Sequence, residues 1–289
     1  MEIIVGKTAG FCYGVKNAVE KSIEELKKEK SVYCLGEIVH NQSVVRNLED
    51  MGMKFIEDLD ENTNKKKTVI RAHGVSKEIY NKANNNNIEL IDLTCPNVLK
   101  IHKIVSEHKE NDYYIFLIGT KSHPETIGTA GFCGENFSIV EVEEDIENAI
   151  EKLNESRKKK LLVVVQTTFS MEKFLYFSDE IKKSLNKKIE DIKIVNTICN
   201  ATKARQEETE KISKKVDYMI IIGGKNSSNT KKLYEIAKKN CQNTICIENY
   251  EEINLEDIDG KEILGIMAGA STPQSSIDEV INLLGTGQK

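Results

Sequence analysis

An apolar strand, a turn carrying one cysteine and a helical stretch recur three times in this chain, and the recurrence limits the fold more than any other feature. The first copy is Ile3-Ile4-Val5 followed by "TAGFCYGVKNA" with Cys12. The second is "IELIDLTCPNVLKIHKIV" with Cys95, and the third is "IKIVNTICNATKARQEET" with Cys199. After each comes a second strand and a polar turn, holding His40, His123 and Ser227. The distance from cysteine to turn is 28 residues in all three copies. A third layer follows, in which an acidic stretch precedes another strand and another polar turn. Those turns hold His73, Thr167 and Ser271, at 33, 44 and 44 residues from the second-layer position.

Strands alternating with helices at this period read as βαβ units with parallel sheets. The expectation is an α/β fold of three domains related by a pseudo-threefold axis, spanning 1–87, 88–190 and 191–289. In parallel sheets ligands bind beyond the carboxyl ends of the strands, where every residue named above falls. If those ends face one axis, the three cysteines converge and the polar turns ring them.

Composition narrows the rest. With 30% charged and 39% hydrophobic residues the chain is ordinary for a globular protein, and its net charge of −5 argues against a nucleic-acid partner. The lysine runs 65–67 and 158–160 precede strands and read as solvated loop ends. No apolar run approaches the roughly 20 residues of a membrane span, and the first ten residues lack the features of a signal peptide, so no membrane partner and a cytoplasmic location are expected. Seven cysteines without a CxxC pair do not make a disulfide framework. Cys34, Cys133, Cys241 and Cys246 fall outside the repeat and read as structural, and His102 and His108 as surface residues of the helix after Cys95.

Three thiolates can hold zinc or three corners of an iron–sulfur cube. Structural zinc wants a fourth ligand and close cysteine pairs, which are absent, whereas a cube with three protein ligands keeps one iron open. His40, His73, Ser227, Ser228, Asn229 and Ser271 are hydrogen-bonding groups at turns and suit a phosphate or diphosphate. Glu125, two residues from His123, is the carboxylate beside a site histidine and suits a proton donor.

With "EIVHN", "RAHGVS", "TCP", "SHPET", "QTTFS", "NTIC", "KNSSNT" and "GAST" in order, the chain resembles the IspH/LytB family of 4-hydroxy-3-methylbut-2-enyl diphosphate reductases. The resemblance implies a trefoil of three α/β domains around a [4Fe–4S] cluster with three Cys ligands and one open iron. It also implies the last step of the methylerythritol phosphate route, giving isopentenyl and dimethylallyl diphosphates. Matched by position, Cys12, Cys95 and Cys199 are cluster ligands, and His40, His73, Ser227, Ser228, Asn229 and Ser271 form the diphosphate cage. Glu125 is the acid, with Thr167 and His123 near the substrate's hydroxyl end. No flavin or nicotinamide fingerprint is present, so a separate donor such as ferredoxin or flavodoxin supplies electrons. The alternatives are a cluster dehydratase like quinolinate synthase and a non-catalytic cluster-binding regulator.

Overall fold

Apolar runs of three to six residues become strands, and the amphipathic stretches between them become helices, in a computed structural model that describes residues 1–29, 31–62, 66–185 and 189–286. Lys65 and the last three residues of the third expected domain lie outside that range. In chain order the elements are β1 (Glu2–Val5), α1 (Tyr13–Lys28), β2 (Val32–Leu35), α2 (Gln42–Asp50), β3 (Met53–Ile56), β4 (Thr68–Ile70) and α3 (Lys77–Asn86). Then follow β5 (Leu90–Asp92), α4 (Pro96–Glu110), β6 (Tyr113–Ile118), α5 (Pro124–Cys133), β7 (Phe137–Val140), α6 (Asp145–Glu155), β8 (Lys160–Val165) and α7 (Met171–Ser184). The last are β9 (Asp191–Ile194), α8 (Asn200–Ser213), β10 (Tyr218–Ile222), α9 (Ser228–Asn240), β11 (Thr244–Ile247), β12 (Ile263–Ala268) and α10 (Gln274–Thr286). No helix among the described residues is long and apolar enough to cross a membrane.

Among the described residues the strands form three four-stranded sheets, ordered β3-β2-β4-β5, β7-β6-β8-β9 and β11-β10-β12-β1, with every pairing parallel. The order is the same three times, so the sequence repeat is a structural one. The edge strand beside each cysteine belongs to the sheet of the preceding copy: Thr68 pairs with Leu90, Lys160 with Asp191, and Ile263 with Glu2. The expected domain starts at 88 and 191 thus fall just before β5 and on the first residue of β9, strands that complete the sheet behind them. By internal contacts the chain divides into two compact units. One holds Met1–Val19, Val39–Asp50 and Asn200–Lys289, and the other Glu20–Ile38 and Met51–Cys199.

Apart from Thr68 and Lys160 at the starts of β4 and β8, the central strands are apolar because helices cover both faces of a parallel sheet. In β6 and β8, Tyr114, Phe116, Ile118, Leu161, Val163 and Val165 pack on Ile146, Leu153, Phe174 and Phe177 of α6 and α7. The alternate residues Ile115, Leu117, Leu162 and Val164 pack on Ile101 and Val105 of α4 and Cys133 of α5. Each such side chain contributes on the order of 1.5–3 kcal/mol on burial. The edge strands β1, β5 and β9 are only partly buried, which is where Glu2, Asp92, Asp191 and Lys193 can sit.

Each copy holds a fourth strand that the sequence reading folded into its acidic stretches, namely β3, β7 and β11. The acids just after them are turn locks. Glu61 accepts from the amides of Glu57 and Asp58, Asp145 from those of Glu141 and Val142, and Glu252 from those of Glu248 and Asn249.

Candidate functional site

Each repeat cysteine stands just before a helix, half-buried and not in a disulfide. Cys95 is the residue before Pro96 of α4, and its carbonyl accepts from Val98 and Leu99; Cys12 accepts from Lys16 as α1 opens; Asn200 of α8 follows Cys199 directly. Their own amides are committed in one recurring way. The N–H of Cys95 donates to the Ala72 carbonyl at 3.0 Å, that of Cys199 to Thr167 at 3.1 Å, and that of Cys12 to Ala270 at 3.1 Å. All three acceptors lie two residues beyond the end of a neighbouring strand, β4, β8 or β12. Each of these three cysteines is therefore tied to the polar turn of the sheet it closes.

The same bonds give the structural register of those turns. Thr167 corresponds to Ala72 and Ala270, and Thr168 to His73 and Ser271, one residue away from the match that equal spacing gives.

In the unit of Glu20–Ile38 and Met51–Cys199, four predicted residues come together. His123 caps α5, its Nδ1 accepting from the Glu125 amide at 3.2 Å, which leaves the ring proton on Nε2 in the neutral form. Its ring meets that of His73 edge to face, with centroids 5.3 Å apart. Glu125, only 2% exposed, accepts from both the amide and the hydroxyl of Thr167 at 2.6 Å. Burial dominates and pushes the carboxyl up to about 7, while the two Thr167 bonds pull the other way. Near neutral pH such a group can both give and accept a proton. The turn after His73 needs Gly74: its φ is +75°, and a Cβ there would lie 3.0 Å from both His102 Cε1 and Thr94 Cγ2.

His102 is not a surface residue. It is 4% exposed, stacked on Phe132 at 4.2 Å between centroids, and burial pushes its pKa down to about 4. His108 is half-buried, with Nδ1 at 2.8 Å from the Ile104 carbonyl and its ring against Tyr113. Cys34, Cys133 and Cys241 are buried with sulfurs against carbonyls, and burial pushes the Cys34, Cys133 and Cys246 thiols up, Cys133 to about 12. They suit packing and not ligation.

The other unit gathers His40, Ser227, Ser228, Asn229 and Ser271. Ser227 caps α9 by accepting from the Thr230 amide, and Ser228 and Asn229 form the helix's first turn. Ser271 Oγ donates to the His40 carbonyl at 3.1 Å. That carbonyl also lies against Gly224, where a Cβ would approach it to 2.5 Å, so the His40 turn can seat only on a glycine. Asn229 is 3% exposed, and neither atom of its amide meets a partner among the described residues. A buried amide left this way costs on the order of 1–3 kcal/mol until something polar binds it. A helix N-terminus with hydroxyls and an unspent amide is an anion recess.

Sequence reasoning missed Gln166. It is 1% exposed; its Oε1 accepts from the Thr120 amide at 3.0 Å and the Thr126 hydroxyl at 3.3 Å, and its Nε2 donates to Thr168 Oγ1 at 2.7 Å. The signal available was its place beside two threonines at a strand end.

A family model described as LytB protein matches residues 3–285. The 4-hydroxy-3-methylbut-2-enyl diphosphate reductase of Caldanaerobacter subterraneus subsp. tengcongensis is 45% identical over 285 residues, covering 97% of this chain and 96% of that protein. The enzyme of the same description from Clostridioides difficile is 40% identical, covering 98% and 99%. Among solved structures, the E-1-hydroxy-2-methyl-but-2-enyl-4-diphosphate reductase from Plasmodium falciparum superposes with a TM-score of 0.89 at 34% identity, over 98% of this chain and 87% of that one. A structure described as (E)-4-hydroxy-3-methyl-but-2-enyl diphosphate reductase, terminal enzyme of the non-mevalonate pathway, gives 0.71 at 38% identity over 99% and 100%. A family match running from the first strand to the last helix, with near-full-length relatives at 40% and 45% identity, makes this chain a member of the LytB family.

Proposed function

We propose that the chain is an iron–sulfur reductase acting on 4-hydroxy-3-methylbut-2-enyl diphosphate in the cytoplasm, yielding isopentenyl and dimethylallyl diphosphates as the last step of the methylerythritol phosphate route. The three copies, 1–87, 88–190 and 191–289, act as three domains, and Cys12, Cys95 and Cys199 hold the cluster that the family uses, as [4Fe–4S]. The donor set suits it: three half-buried cysteines at helix starts, each with its backbone amide already bonded, against four others committed to packing. When bound, the cluster passes electrons from a reduced ferredoxin or flavodoxin and offers one open iron as a Lewis acid.

The remaining work belongs to side chains. His40, His73, Ser227, Ser228, Asn229 and Ser271 bind the diphosphate, and the unspent Asn229 amide is the group that most needs such a ligand. Thr167 holds Glu125 in place and His123 lies beside it, so that the carboxyl delivers the proton with which the substrate hydroxyl leaves as water. The observation that carries the reading is one turn: Thr167 donates twice to Glu125 while its carbonyl accepts from Cys199, so acid and cysteine share a single residue as neighbour.

The test is anaerobic purification with iron and sulfide analysis, followed by single-turnover reduction of the substrate with a chemical reductant. About four irons per chain and both products are expected. A preparation whose iron survives replacement of Cys12, Cys95 or Cys199 by Ser, or one that leaves the diphosphate unreduced, would overturn the reading.

A further inference from the structure

The loop that carries Cys12 is the longest of the three that lead from an edge strand to a repeat cysteine. Six residues, 6–11, separate β1 from Cys12, against two, 93 and 94, between β5 and Cys95 and four, 195–198, between β9 and Cys199. The two shorter loops lock on themselves or on the adjacent strand. Asp92 accepts from the amide and the hydroxyl of Thr94, Asn196 accepts from the Ile198 amide, and Thr197 Oγ1 bonds to the backbone of Val165. The Cys12 loop is held by side chains of α8, about 200 residues further along the chain. We propose that Glu208 and Arg205 are positioning residues for Cys12, fixing its loop so that the thiolate stays on the cluster. The inference rests on the reading that Cys12, Cys95 and Cys199 hold an iron–sulfur cluster.

Opposite charges grip the two ends of the loop. The Glu208 carboxylate takes three donors on its two oxygens: the Lys7 amide on Oε1 at 2.9 Å, and the Thr8 amide and hydroxyl on Oε2 at 2.8 and 2.5 Å. Burial alone would raise this carboxyl, but the Thr8 and Lys7 bonds outweigh it and hold the group below the ordinary carboxylate range. Three residues earlier on the same face of α8 stands Arg205, 4% exposed. Its Nη2 donates to the Gly10 carbonyl at 2.6 Å, and its Nη1 to the Ala201 carbonyl of its own helix at 3.1 Å, so the guanidinium is braced on α8 while it reaches the loop. Gly10 is the left-handed residue of the loop, with φ +93°, and two residues later comes Cys12 itself. A glutamine at 208 would offer one oxygen to three donors and turn its NH₂ toward an N–H or O–H of the loop. Bonds to charged groups are the strong ones, and the residues they fix set how often the segment opens locally.

The experiment follows how firmly the anaerobically purified holoprotein keeps its iron. Release to a ferrous chelator is timed with iodoacetamide present, the alkylation of each cysteine is read by mass spectrometry, and the melting temperature is recorded beside them. The variants are Glu208→Gln, Arg205→Lys, Thr8→Val, which loses only the hydroxyl bond, and Thr8→Ser, which keeps it. Glu208 is half-buried and partly screened by solvent, so Glu208→Gln should speed iron release about tenfold, the equivalent of one bond to a charged group. Cys12 should then be alkylated before Cys95 and Cys199, an order that a general loss of stability would not produce. Arg205→Lys and Thr8→Val should show smaller rises with the same order, and Thr8→Ser the wild-type rate. If Glu208→Gln does not fold, these three carry the comparison. Wild-type release rates in both Glu208→Gln and Arg205→Lys would overturn the proposal. So would even alkylation of the three cysteines together with a lowered melting temperature. A wild-type protein that holds no iron would overturn the cluster reading instead; in that protein, faster labelling confined to Cys12 in Glu208→Gln would uphold the clamp, and equal labelling would overturn it as well.

Discussion

Replacing Glu125 by Gln should change how stability depends on pH, and by an amount that the burial of the carboxyl sets. The folded protein raises this group from its ordinary value near 4.5 to about 7, burial being the larger cause and the Thr167 bonds opposing it. Between those two values the folded state holds the proton more tightly than the unfolded chain does, so stability falls as pH rises through that window. Below about 4.5 there is no penalty, and above about 7 it is complete. The full span corresponds to about 3 kcal/mol, of which about 2 kcal/mol falls between pH 5.5 and pH 8. Glutamine is neutral throughout and carries none of this dependence. Urea unfolding of the wild type and of Glu125→Gln at both pH values, taken as a double difference, cancels every other titrating group. The variant should gain about 2 kcal/mol relative to wild type on going from pH 5.5 to pH 8, whatever constant offset its altered bonding to Thr167 adds. Parallel pH profiles would show that Glu125 titrates as an ordinary exposed carboxyl and would refute its role as an acid tuned to neutral pH.

Two further outcomes follow from packing and polarity. Gly74→Ala combines a left-handed backbone with contacts of 3.0 Å to His102 and Thr94, and should destabilise the protein by about 1–3 kcal/mol in thermal or urea unfolding. Asn229→Leu removes a buried amide that meets no partner among the described residues; it should leave stability unchanged or raised by about 1 kcal/mol while weakening pyrophosphate binding at least tenfold, both measured on one preparation.

Much of the fold was legible because its strongest signals are local and repeated: cysteines at a fixed distance from polar turns, and apolar runs long enough to be central strands. The strands β3, β7 and β11 were lost because their last residues open the acidic stretches, and the charges there belong to turn locks such as Glu61 and not to a separate segment. His102 was misread although its position was written in the helix. Val98, Ile101, His102 and Val105 fall at the three- and four-residue steps of one buried face of α4, and the imidazole follows them inward. The burial of Glu125 had no local signature at all. What buries it is the chain around Thr167, 42 residues later, and only the folded turn brings the two together.

The pairing of β1 with β12 sets an order in time. Glu2 finds its partner in Ile263, and the Cys12 amide finds its acceptor in Ala270, so neither can be satisfied until the chain has been made as far as those residues. At roughly 5–20 residues per second, synthesis leaves the first strand waiting for about 13–50 s. The sheets containing β2 to β9 meet no such delay, since Cys95 bonds to Ala72 and Cys199 to Thr167, both made before the cysteine itself. The first cysteine to leave the ribosome is therefore the last to be seated.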